Sequence, residues 1–116
     1  MSAEEIFEQR MRLSRLFAMY GALLTAKQYQ CLSFYFDDDL SLSEIADELG
    51  VSRQAVHDLL KRVELTLEKY EEKLGMLSRY EEEQDKILAV INLLNGKTAR
   101  EKQAKALLLE LSGEGR

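Results

Sequence analysis

A chain of 116 residues without a single proline is free to run in long helices, and this one has only six glycines for turns. Proline removes a backbone donor and blocks the preceding helical turn, so without it helix length is limited mainly by side-chain pattern. Glycine supplies the left-handed backbone that tight turns and hairpins use. The two shortages together argue against a hairpin-built sheet and for an all-α fold. Apolar residues make up 46% and charged residues 32%, the balance of a folded domain with a core and not of a disordered chain. The length allows one domain, or a compact head with a helical extension.

Hydrophobic spacing marks the elements. From Glu4 to about Tyr20, the residues Ile6, Leu13, Leu16, Phe17 and Tyr20 recur at helical spacing, with Arg10, Arg12 and Arg15 mostly on other faces. After an interruption at Gly21, Thr25 suits the cap of a helix over Ala26 to Phe36. Its inner side would carry Tyr29, Leu32 and Tyr35 or Phe36. Asp37-Asp38-Asp39 make a polar connection. Ser41 with Glu44 reads as a capping box, each side chain satisfying a free N–H at the other's position. The helix it opens, Leu42 to Leu49, would bury Leu42, Ile45, Ala46 and Leu49 before Gly50 stops it. Ser52 caps a helix starting at Arg53, in which Val56, Leu60, Val63, Leu67, Tyr70, Leu74 and Leu77 alternate steps of four and three. That row fits a seam between two copies and a helix packed on its own head equally well. A further helix is expected to start at the acidic run Glu81-Glu82-Glu83 and end at Asn95-Gly96. A last one, boxed by Thr98 and Glu101, runs to Leu111, with residues 112–116 frayed. The expected domains are a head over 1–72, containing a helix-turn-helix at 42–61, and an extension over 73–116.

Several classes fall away. The N-terminal segment is charged from Glu4 and does not read as a signal peptide. The apolar run Ile87 to Ile91 is too short to span a bilayer. One cysteine, Cys31, makes no internal disulfide and reads as a small core residue, as in a reducing compartment. The expected location is the cytoplasm, with no membrane partner. With one histidine and one cysteine, no metal site is expected. No glycine-rich phosphate loop, nucleophile elbow or paired histidines occur, so no catalytic residues, no cofactor and no enzyme activity are expected.

The stretch LSLSEIADELGVSRQAVHDLLK carries the functional information. A helix-turn-helix needs a small residue where its helices touch, a turn residue at ease with positive φ, and apolar locks. Ala46 is the small contact, Gly50 the turn, and Val56 the lock, with Ile45, Leu49, Val51 and Leu59 around them. The second helix of such a unit places its first turns in the major groove. Its outward positions are Ser52, Arg53, Gln54, His57, Asp58 and Lys61. Arg53 can pair bidentately with guanine and Gln54 with adenine, while Lys61 suits a phosphate. Ser52 offers its N–H and hydroxyl at the positive helix end. Asp58 would pair with Arg62 or accept from a cytosine amino group.

The run from Leu23 to Leu74, and SLSEIADELGVSRQAV followed by YEEKL in particular, closely resembles the YlxM (p13-like) family of bacterial proteins, over roughly Arg12 to Leu77. The family's head is similar to region 4 of the sigma factors. The resemblance implies an all-α fold in the winged-helix-like DNA-binding superfamily, with a long C-terminal helical extension. It also implies a regulator of duplex DNA, often a homodimer, and a link to the signal recognition particle through gene neighbourhood. Carried onto this chain, the reading face falls on Arg53, Gln54 and His57, with Lys61 and Arg62 beside the backbone and Ser52 at the cap. Net charge is −5, and residues 37–52, with six acids and no base, hold all of the deficit. Phosphate neutralisation drives non-specific affinity, so weak binding to random duplex is expected. The alternative is an accessory protein touching the particle's RNA or proteins without reading duplex DNA.

Overall fold

Local capping chemistry starts the helices, and the computed structural model, which describes residues 1–112, shows them in place. Helix α1 spans Ala3–Tyr20, and a single 3-10 turn over Gly21–Leu23 leads to α2, Ala26–Phe36. Thr25 and Gln28 form a reciprocal capping box at α2, and Ser41 and Glu44 form another at α3, Leu42–Leu49. Helix α4 covers Arg53–Leu74, α5 Met76–Leu93 and α6 Ala99–Ser112. At α6 the expected box is present: the Glu101 N–H donates to Thr98 Oγ1, and the Thr98 N–H donates to Glu101 Oε2. Ser112, expected to fray, ends α6 with its hydroxyl donating to the Leu109 carbonyl; positions 113–116 lie outside the described residues. The protein is all-helical, and there is no strand among the described residues.

Two compact units divide the chain, Met1–Leu77 and the segment from Ser78 onward. In the first, α4 is the spine. Its Val63 and Leu67 meet Leu13, Leu16, Phe17 and Tyr20 of α1, Leu32 of α2, and Leu77 in one cluster. Its Val56 meets Cys31, Ile45 and Ala46 in a second, and Leu59 and Leu60 touch both. No charged or polar residue is buried among the described residues. Each fully buried aliphatic side chain here contributes on the order of 1.5–3 kcal/mol.

One alternative that the pattern left open is decided, and three readings need correction. The heptad row of α4 packs inside its own head up to Tyr70, the second alternative the pattern left open: Val56, Val63 and Leu67 are fully buried there, Leu60 and Tyr70 are half-buried against the same core, and of the row on α4 Leu74 alone is exposed. A seam between two copies along that row would require opening the head. The row also does not lie on one helix, because Gly75 takes φ +61 and separates α4 from α5. Helix α5 therefore begins at Met76, so Glu81-Glu82-Glu83 lie inside it and not at its start. Finally, Ile6 and Tyr29 are about half exposed, since only the second half of α1 reaches the core and α2 turns inward Leu32 and Cys31, both expected there, and not Tyr29.

The start of α5 is held by a contact between distant positions. Tyr20 Oη donates to Glu71 Oε1 at 2.5 Å and accepts from the Met76 N–H at 3.1 Å, while Glu71 Oε1 also accepts from the Leu77 N–H at 2.9 Å. The first N–H groups of a helix have no internal partner and carry its positive end. The hydroxyl of a core tyrosine and a carboxylate satisfy two of them here. In the second unit, Ile91 is buried, Ile87, Leu88 and Leu94 are half-buried, and no residue of α6 is buried.

Candidate nucleic-acid interface

Helix α3 ends as its sequence requires. Gly50 adopts φ +67, ψ +35, its N–H reaches the Ala46 and Asp47 carbonyls, and the Val51 N–H bonds the Ala46 carbonyl at 3.0 Å. This pairing closes the last turn around a left-handed residue. Ser52 then caps α4, its Oγ accepting from the Ala55 N–H at 3.1 Å. That spends one lone pair of the hydroxyl and leaves its O–H free to donate. Ala46 of α3 and Val56 of α4 lock the two helices through the shared core cluster.

Val56 fixes what the other side of α4 presents. At about 100° per residue, Arg53, Gln54, His57 and Lys61 fall in one outward arc, with Asp58 on its edge and Arg62 beyond it. All six are exposed. Gln54 Nε2 donates to Asp58 Oδ1 at 3.0 Å. His57 Nδ1 lies 3.6 Å from the same carboxylate oxygen, too long for a hydrogen bond. Lys61 Nζ stands 3.9 Å from Glu64, a loose pair. Asp58 thus engages Gln54, and not Arg62, which was the protein partner expected from the sequence. The structure brings Arg53, Gln54, His57 and Lys61 together; Arg62 points further round the helix.

Helix α3, which packs on α4, exposes Glu44, Asp47 and Glu48. The Glu44 carboxyl is held below its usual value by the backbone and hydroxyl of Ser41, so it stays charged. Burial pushes the Cys31 thiol up, as suits an inert core residue. Among the described residues no three His, Cys, Asp or Glu side chains come together as a metal ion would need. No helix among them is long and apolar enough to cross a membrane.

One residue of this face escaped the sequence pattern. Arg10, set by helical spacing on a side face of α1, lines a groove that also takes in His57 and Lys61 of α4. Only the tertiary fold brings α1 to that place.

The short α3 and the first turns of α4, locked at Ala46 and Val56 around Gly50 and capped by Ser52, define a helix-turn-helix protein. The chain belongs to the UPF0122 family, described as "Putative helix-turn-helix protein, YlxM / p13 like", whose pattern matches residues 7–109. The match reaches well past Leu77, so the second unit is part of the family and not an appendage to it. Among its relatives is the UPF0122 protein lmo1802 of Listeria monocytogenes, 46% identical over 106 residues, which are 91% of this chain and 96% of that one. A UPF0122 protein of Desulforamulus reducens is 53% identical over 77 residues, 66% of each chain. One of Bacillus pumilus is 45% identical over 104 residues, 90% of this chain and 94% of its own.

Proposed function

We propose that the protein is a DNA-binding regulator that reads duplex DNA with the first turns of α4. The observation that carries this reading is the exposed arc of Arg53, Gln54, His57 and Lys61, which the buried Val56 of the same turns holds turned away from the core. Arg53 takes guanine O6 and N7, Gln54 takes adenine N6 and N7, and His57 meets a base edge. Ser52, Lys61 and Arg62 hold phosphates. Gln54 must first release Asp58. An i,i+4 pair of this kind is worth about 0.2–0.5 kcal/mol, small beside the roughly 1–3 kcal/mol of base discrimination that a bidentate contact gives. The acidic α3 keeps affinity for random duplex low. The protein acts in the cytoplasm without a cofactor or chemistry of its own. Two copies pair, through surfaces other than the heptad row, and so address two half-sites.

Selection from random duplex DNA at physiological salt tests this. A consensus is expected, and Arg53→Ala should lose about 1–3 kcal/mol on it and relax preference at one base pair. No consensus, or an Arg53→Ala protein with unchanged affinity and preference, overturns the reading. The exposed acids of α3 favour a second reading, an accessory protein of the signal recognition particle that touches its RNA or proteins. Retention on those components together with no duplex binding would select it.

A further inference from the structure

Beside the reading arc, α1 and α4 enclose a groove of about 260 Å³. Leu13, Leu42 and Leu60 line it, and its exposed side chains are Ile6, Gln9, Arg10, His57 and Lys61, of which the last three can carry positive charge. Two permanent cations and an imidazole face one carboxylate there, that of Glu64. The space is at or below the small end of organic-ligand sites, but the charges suit an anionic group laid across the rim.

Arg10 is placed differently from Arg12 of the same helix. Arg12 is held in a two-pronged pair with Glu68 at 2.7 and 3.0 Å. Arg10 makes one ion pair, to Asp39 at 3.3 Å, with the two side chains 45% and 89% exposed, a weak class of contact. Its guanidinium lies 4.6 Å from the Tyr35 ring centroid and 5.9 Å from that of Phe36. Stacking restrains the plane without using its N–H donors. The group is therefore oriented, largely unspent, and on the same groove as Lys61.

Resting on the duplex-reading role of α4, we infer that Arg10 is a further phosphate-binding residue of this interface. With Lys61 it holds one backbone phosphate of duplex DNA, and Asp39 is the built-in competitor that the phosphate displaces. Asp39 sits at φ +53, a left-handed conformation that Asp and Asn tolerate better than other side chains. Asp39→Asn thus removes the charge and leaves the loop backbone in place.

Salt titrations of duplex binding, on the selected site and on a scrambled one, test the assignment. Arg10→Ala should flatten the log affinity against log salt slope by about 0.9. It should weaken both duplexes by the same factor and leave base preference intact. Arg10→Lys, which keeps the charge and drops the stacking, should retain the slope. Asp39→Asn should tighten both duplexes about two- to fivefold, and most of that gain should vanish when Arg10→Ala is added. Arg10 lies in the half of α1 without a buried residue, so losing its exposed stacking and ion pair should lower the melting temperature only slightly and leave the head folded. An unchanged slope in Arg10→Ala, or an Asp39→Asn gain that persists without Arg10, overturns this proposal. If Arg53→Ala still relaxes base preference in that case, the reading role of α4 stands. If Arg53→Ala is silent too, or the wild-type chain binds no duplex, the reading falls and this inference with it. A slope change confined to an RNA hairpin overturns the assignment to duplex DNA.

Discussion

Tyr20 shows how much one hydroxyl can hold. Its ring belongs to the core of the first unit, while its oxygen joins Glu71 to the first N–H groups of α5. Tyr20→Phe keeps the ring and strands the Met76 N–H, which should cost about 1–3 kcal/mol in denaturant unfolding. The same group gives a pH signature. Burial first, and the hydrogen bond to Glu71 second, raise the Tyr20 pKa above its ordinary 10.0. A raised folded value means that its contribution is complete below pH 10.0 and is lost as pH climbs through the folded pKa. Wild-type stability should therefore fall more steeply above pH 10.0 than that of Tyr20→Phe, measured by denaturation at several alkaline pH values. Helical spacing placed Tyr20 in the core correctly. Its hydroxyl's task was not legible, because the partner lies 51 positions away.

At the scale of elements, what could be read was what is encoded nearby. Ser41 with Glu44, Thr98 with Glu101, Thr25, Ser52 and Gly50 all act within four positions of themselves, so each cap and stop was visible in the chain. The break at Gly75 was hidden because Leu74 and Leu77 continue the apolar step across it, and because α5 is held at its start by Tyr20 and Glu71 from elsewhere. Of the candidate interface, the α4 arc was legible from one helix's own periodicity, whereas Arg10 required knowing where α1 lies. Gly50 offers the sharpest test of the turn. A Cβ added there meets nothing within 4 Å, so the cost of substitution is the left-handed backbone alone. Gly50→Ala should lose about 1–2 kcal/mol, and Gly50→Asn clearly less. Equal losses in thermal or denaturant unfolding would mean that side-chain crowding, not φ, sets the requirement. Val63 and Leu67 anchor α4 independently, so neither variant should unfold the head.

For the molecule as a whole, the use of α4 as an internal spine decides where a second copy can bind. Its row of Val56, Val63 and Leu67 has no exposed area left to offer. The segment from Ser78 onward is in the opposite condition. Chains under about 40 residues rarely bury enough surface to be stable by themselves, and α6, 14 residues long, has no buried residue. A helix of about 12–15 residues is marginal in water without a packed face. Leu107 and Leu111, 56% and 66% exposed, stand four apart on one side of α6. Pairing of two copies, as the proposed regulator requires, would give that side its cover. Sedimentation equilibrium should find a dimer, and the double substitution Leu107→Glu with Leu111→Glu should make it a monomer without changing the unfolding of the head. Amide exchange in α6 should then be fast in the monomer and slowed in the dimer, since only a covered helix keeps its hydrogen bonds closed. A double variant that sediments like the wild type would place the pairing surface elsewhere and leave the α6 leucines to another role.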